Sequence, residues 1–205
     1  MMGLTFHSMV FWILTPAYGY LDWLWAQDCG EVYREYALLL QLLQNSAPGQ
    51  RLALKAPDHM PHLDQLLDAV PNAWIVQLHR DPPTCALSLS SLFYSTHIAL
   101  SESVNPKRLA EANLAMMAGF IKANRQARQD PAVDRRVLDI DFKGLVGDPL
   151  ATVQEIYDHF GLVFTENFAA RLSRFIQRMK KQGHQGHHYS SEQFGLSAAE
   201  IDLAF

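Results

Sequence analysis

Apolar and polar residues follow two rhythms along this chain, and the changes between them divide it into elements. From Glu31 to Gln44, Tyr33, Tyr36, Ala37, Leu40 and Leu43 recur at helical spacing, predicting a helix that Pro48-Gly49 closes. Arg51 to Lys55 reads as a short strand, Pro61 to Val70 as an amphipathic helix, and Ala73 to Leu78 as a second strand. That order predicts a β-α-β unit, with parallel pairing through a right-handed crossover. Two helices are predicted near 83–100 and 106–129, and Arg136 to Asp141 reads as a third strand. Asp148-Pro149 offers an N-cap followed by proline at the first helical position, so a helix is expected from there to His159, before Gly161. Another helix is predicted over about 165–181, then a His/Gly-rich loop over 182–195, and a last helix capped by Ser197.

Residues 1–28 are rich in aromatics, including Phe11, Trp12, Tyr18, Tyr20, Trp23 and Trp25. Two readings are open for them: core packing, or a wall facing a small-molecule cleft.

Composition narrows the class. With 205 residues and 49% hydrophobic content, the chain is expected to bury one core as a single domain over 1–205. A net charge of −4 argues against a broad basic face, so no nucleic-acid partner is expected. Basic residues still cluster at Arg125, Arg128, Arg135 and Arg136, and from Arg171 to Lys181; a solvated helix face accounts for both. Cys29 and Cys85 give neither a disulfide framework nor a zinc spacing, which fits a reducing cytosol and a cytoplasmic protein. The apolar stretch Met9 to Leu14 lacks a basic leading region and a small-residue cleavage site. No run approaches the roughly 20 apolar residues of a membrane span.

The candidate chemistry gathers around two strand ends. Arg80 ends the apolar run Trp74 to Leu78, Asp81-Pro82-Pro83 turns the chain, and Ser88 falls about two turns into the next helix. Beyond the carboxyl ends of strands lies the ligand crevice of open α/β sheets, where an arginine and a hydroxyl suit a phosphate. The alternative for Arg80 is an ion pair with Asp81 or Asp58. Lys55 ends the first predicted strand, with His59 just beyond Pro57. A lysine and an imidazole there suit charge stabilisation and proton transfer, whereas His59 as a helix cap is the structural alternative.

Three segments together carry a family resemblance. LALKAPDHMPHLDQLLDAVPNAWIVQLHRDPPTCALSLSSL resembles the central region of the sulfotransferases that use 3′-phosphoadenylyl sulfate (PAPS), in their bacterial-type branch. LDIDFKGLVGDPLATVQEIYDHFGL resembles that family's strand–loop–helix segment, and GHHYSSEQFGLS its C-terminal H-x-Y-S…F-G-L. The resemblance implies an α/β fold, a P-loop-kinase-like parallel sheet flanked by helices, N-terminally incomplete here. It implies that Arg80 and Ser88 grip the 3′-phosphate of PAPS, that Lys55 lies near the transferred sulfonate, and that His59 is the candidate base. Lys181, Gly186 and His188 fall in the late basic-plus-glycine segment that folds over the donor in the family; a surface loop is the other reading. The implied acceptor is a small molecule with a hydroxyl or amine. No metal is expected, since His184, His187 and His188 do not match a zinc pattern.

One departure stands out. The family's opening strand and its glycine/serine/threonine loop, which cradles the 5′-phosphosulfate, have no counterpart in these residues. Three expectations follow for the chain: a fragment of a longer product, a mis-assigned start, or a degenerate paralogue. The non-catalytic alternative is a nucleotide-binding or interaction module with the same fold. A missing strand also predicts an exposed sheet face and a possible homodimer.

Overall fold

The computed structural model describes residues 6–182 and 190–205. It is an α/β structure, mostly helical, around a small parallel sheet. Two five-residue strands, β1 (Ile75–His79) and β2 (Val137–Asp141), pair in parallel with Ile75 opposite Val137 and His79 opposite Asp141. Their carboxyl ends therefore lie side by side.

The helices in chain order begin with α1 (Val10–Leu14), α2 (Tyr18–Trp25) and α3 (Gly30–Ser46). A 3₁₀ turn (Pro57–His62) leads into α4 (Leu63–Ala69) ahead of β1. Between the strands run α5 (Pro82–Leu100), α6 (Pro106–Ala127) and α7 (Pro131–Asp134). After β2 come α8 (Phe142–Gly147), α9 (Pro149–His159), α10 (Glu166–Gln182), α11 (Ser191–Phe194) and α12 (Ala198–Ala204).

The long pair α5 and α6 forms the centre. On one side α1 and α2 bury Trp12, Leu21 and Leu24 against Phe93, Leu109, Met116 and Phe120. On the other, Phe194, Leu196 and Ile201 from the C-terminal helices pack on Ala86, Ala110 and Leu114. The aromatic N-terminal segment is thus divided: Trp12 is fully buried, half-buried Tyr18, Tyr20 and Trp25 pack against the core, and Phe6, Phe11 and Trp23 stay exposed.

Helix starts follow local chemistry. Asp81, Asn105, Asp130 and Asp148 each precede a proline and accept a hydrogen bond from a first-turn amide: Thr84, Arg108, Ala132 and Ala151 respectively. Each side chain satisfies an N–H that the helix itself leaves unpaired, and the proline sacrifices no bond there. At the far end of α9, Gly161 adopts φ +62°, with Leu162 N donating to Tyr157 O and Gly161 N to Asp158 O. This αL closure favours glycine, since a Cβ is strained at that φ. Asp148→Ala is expected to cost about 1 kcal/mol, read as a lower urea midpoint with an unchanged m-value.

The first expected strand does not form. Residues 51–56 pair with no strand among the described residues, and Leu52 and Leu54 stay exposed at 36% and 53%. The expected β-α-β unit around residues 61–70 is therefore absent, and β1 finds its parallel partner in β2 across α5, α6 and α7. An apolar pattern specifies a face for a strand, but only a neighbouring edge can satisfy its backbone groups.

The basic cluster around 125–136 is not simply a solvated face. Arg128 makes a bidentate pair to Asp139 at 2.7 and 2.6 Å and donates through Nε to Asp134 at 2.8 Å. Arg136 donates to the carbonyls of Leu67, Val70, Pro71 and Ala73, closing the C-terminal end of α4 onto the start of β1. Both arginines hold the sheet in register with the helices before it.

Candidate functional site

Arg80 follows β1 directly, and Asp81 immediately starts α5. The Asp81 carboxylate accepts from the Thr84 amide at 3.0 Å and from the Thr84 hydroxyl at 2.6 Å, which holds it below the usual carboxylate range. Asp81 is thus occupied by its own helix. Among the described residues Arg80 makes no salt bridge; its guanidinium lies 4.8 Å over the ring of Phe142, the first residue of α8. Neither ion pair weighed for Arg80 forms. The arginine is held by an aromatic ring and remains exposed, beside the N-terminus of a 19-residue helix. The unpaired guanidinium favours an anion, whereas the start of α5 offers it no free amide, since Pro82 and Pro83 carry no N–H and Asp81 takes those of Thr84 and Cys85. Ser88 sits half-buried two turns along α5.

Lys55 and His59 line a second feature, a cleft of about 410 Å³ that also takes in Tyr36, Leu40, Leu43 and Asp58. Ala56 is extended (φ −151°, ψ 127°), and Pro57 then opens the 3₁₀ turn that carries His59 inward. His59 Nδ1 lies 3.0 Å from the hydroxyl of Tyr33, a residue of α3 with no exposed surface. The Tyr36 ring packs on His59 at a centroid distance of 5.3 Å. His59 does not cap α4: the N-cap position is His62, whose side chain makes no capping bond. The imidazole is committed to tyrosines instead.

Burial dominates the electrostatics here. It pushes the His59 imidazole below its ordinary value, helped by neighbouring His62, and raises the Tyr33 phenol well above its own. The Asp58 carboxyl is raised by burial, partly offset by Lys55. At neutral pH His59 is therefore uncharged and Tyr33 keeps its proton. His62 stands 3.7 Å from the Cys29 sulfur, and burial raises that thiol, so Cys29 is not a poised nucleophile.

A stability prediction follows. Burial also lowers His62 and His97. Below the ordinary value of 6.5 the unfolded chain takes up protons that these folded imidazoles refuse, so stability falls as pH falls. Asp58 acts in the opposite sense, one carboxyl against three imidazoles. The urea midpoint should be lower at pH 5.5 than at pH 7.5, and His59→Gln with His62→Gln should flatten that difference.

Lys181 lies exposed in the last turn of α10, a helix that packs on α9 and has no buried residue. Gly186 and His188 lie outside the described residues, as does half of the expected 182–195 loop, and Ser191–Phe194 within that span form α11 instead of loop. Sequence reasoning missed Tyr33 and Tyr36 as partners of His59. Their signal was two aromatics three residues apart on one helix face, which is indistinguishable from core packing.

The sulfotransferase family model matches residues 3–166, four-fifths of the chain. The chain belongs to the sulfotransferase family. That match takes in Lys55, His59, Arg80 and Ser88, whereas Lys181, Gly186 and His188 fall beyond it. Among solved structures, the sulfotransferase STF1 from Mycobacterium tuberculosis H37Rv superimposes with a TM-score of 0.81 at 29% identity. The sulfotransferase STF9 from Mycobacterium avium does so with 0.87 at 23% identity, which speaks for the fold. In both cases 97% of this chain is covered but only 51% of the relative, so the chain spans about half the length of these sulfotransferases. Comparison with the curated proteins finds no match. No helix among the described residues is long and apolar enough to cross a membrane.

Proposed function

We propose that this sulfotransferase-family chain takes part in sulfonate transfer from PAPS to the hydroxyl or amine of a small-molecule acceptor, as one P-loop-kinase-like domain. The observation that carries this reading is Arg80: a guanidinium without a salt bridge among the described residues, at a strand end beside a long helix N-terminus. Arg80 would bond the 3′-phosphate in a bidentate, charge-assisted manner, with Ser88 donating a hydroxyl hydrogen bond. PAPS supplies the sulfonate and leaves as adenosine 3′,5′-bisphosphate.

The chain's own part in the chemistry is positioning, charge and a proton. His59 Nε2 would take the acceptor proton as the new O–S or N–S bond forms and the bond between sulfur and the phosphate oxygen breaks. For Nε2 to accept, Nδ1 must carry the hydrogen and donate it to the Tyr33 oxygen, which fits their 3.0 Å separation and the neutral phenol. Tyr33 is then a positioning residue that fixes the His59 tautomer. Lys55, from the same cleft, would offset negative charge gathering on the sulfonate oxygens. No step calls for a metal. Lys181, Gly186 and His188 remain candidates for covering the donor.

The fit is uneven. Arg80 and Ser88 suit a phosphate, but no glycine/serine/threonine loop for the 5′-phosphosulfate occurs in these residues. A second reading, a nucleotide-binding module without transfer, uses Arg80 and Ser88 and needs no base. Incubation with PAPS and a panel of phenols, amines and sugars separates the two. Sulfonated product supports transfer, whereas adenosine 3′,5′-bisphosphate binding without product supports the module.

A further inference from the structure

The cleft beside His59 has a shape and lining that select the acceptor. Tyr36, Leu40 and Leu43 stand at i, i+4 and i+7 on α3 and so share one helix face. Tyr36 packs on His59, and Leu43 lies roughly 10 Å further along the axis at 1.5 Å per residue. Val10 and Ile13 of α1 and Leu54 supply the rest of the apolar lining. Among the described residues, charged and imidazole groups come only from the 55–59 stretch, Lys55, Asp58 and His59, and Ser8 just before α1 adds one hydroxyl, which already accepts from Val10 N. A chain of aliphatic surface thus leads away from a polar head. Leu43 and Leu54 remain 51% and 53% exposed, apolar surface that a ligand would remove from water.

We infer that this cleft binds an elongated apolar alcohol, its single hydroxyl at His59 and Lys55 and its hydrocarbon body along Tyr36, Leu40 and Leu43. The inference rests on the sulfonate-transfer reading for the role of the hydroxyl, but the binding itself does not. A polyol is disfavoured, because most of its further hydroxyls would lose water against Leu40, Leu43, Leu54, Val10 and Ile13, which offer them no side-chain partner. An alcohol also matches the head group: uncharged His59 accepts from the hydroxyl, while Lys55 donates towards its oxygen.

The test is calorimetry of the full chain with straight-chain alcohols from butan-1-ol to decan-1-ol, with glucose alongside. Affinity should rise about fourfold per methylene while each added carbon is buried. The rise should level off near roughly eight carbons, taking about 1.3 Å of length per carbon over the 10 Å wall. Leu43→Asp, at an exposed position that does not endanger folding, should weaken octan-1-ol at least tenfold with an unchanged circular dichroism spectrum. Half-buried Leu40→Gln should do the same. Affinity independent of chain length, glucose binding as well as octan-1-ol, or an unaltered Leu43→Asp would overturn the inference. Adenosine 3′,5′-bisphosphate, titrated into the same sample, reports separately on the donor half. Its failure to bind beside an intact alcohol series would remove the sulfonate-transfer reading and leave the apolar cleft standing.

Discussion

Trp12→Ala is expected to cost about 3–5 kcal/mol for the lost ring and its cavity, a large share of the stability of an ordinary domain, about 5–15 kcal/mol in total. Trp12 has no exposed surface and lies edge-on to Tyr18 and His97, with centroids 5.1 and 5.4 Å away. Its indole N–H donates to Asn113 Oδ1 at 3.1 Å, and its carbonyl accepts from His97 Nε2 at 2.6 Å. Asn113 in turn donates to the Ser90 hydroxyl at 3.4 Å. This polar chain ties α1 to both α5 and α6, so one substitution loosens three elements. Trp12→Phe keeps most of the ring but orphans the Asn113 carbonyl, which should cost about 1–3 kcal/mol. Urea unfolding of both variants checks the order; equal losses would mean that the ring contributes nothing beyond the hydrogen bond.

The second large effect is catalytic. In a sample that transfers sulfonate, His59→Ala should lower the rate by about 10²–10⁴-fold, the usual contribution of a positioned base. Tyr33→Phe should reduce the rate less, because His59 remains but its tautomer is no longer fixed. It should also move the acidic limb of the pH–rate profile, since the Tyr33 oxygen that stabilises the protonated imidazole is gone. A merely structural Tyr33 would lower stability without moving that limb. His59→Ala with an undiminished rate would remove the base from this residue.

Local chemistry was legible in the sequence wherever it closes within a few residues. Asp148-Pro149 and Gly161 bound α9 at the expected positions, and Ser197 caps α12 through a reciprocal bond with Glu200. α8 was missed, because Gly144 and Gly147 masked the Asp141 cap that starts it. What depended on distant partners was not readable. Arg51 to Lys55 has the residues of a strand and lacks a neighbouring edge, and no local signal reports that lack. Arg136 looked like surface charge, yet its acceptors lie more than 60 residues earlier. The site divides the same way. Arg80 and Ser88 are candidates that a strand–turn–helix pattern suggests, whereas the Tyr33 contact to His59 joins residues 26 apart. Phe142 beneath Arg80 comes from the far side of β2 in sequence, and only parallel pairing brings it there.

The central claim is that the carboxyl end of β1 holds the phosphate of a nucleotide donor through Arg80. Calorimetric titration of adenosine 3′,5′-bisphosphate into the wild-type chain and Arg80→Ala tests it directly. Arg80 is exposed and outside the core, so the variant should fold normally. Loss of charge-assisted hydrogen bonds worth about 1.5–3 kcal/mol each predicts affinity at least tenfold weaker in the variant. Equal affinity in the two proteins, or no binding by the wild type, would contradict the assignment.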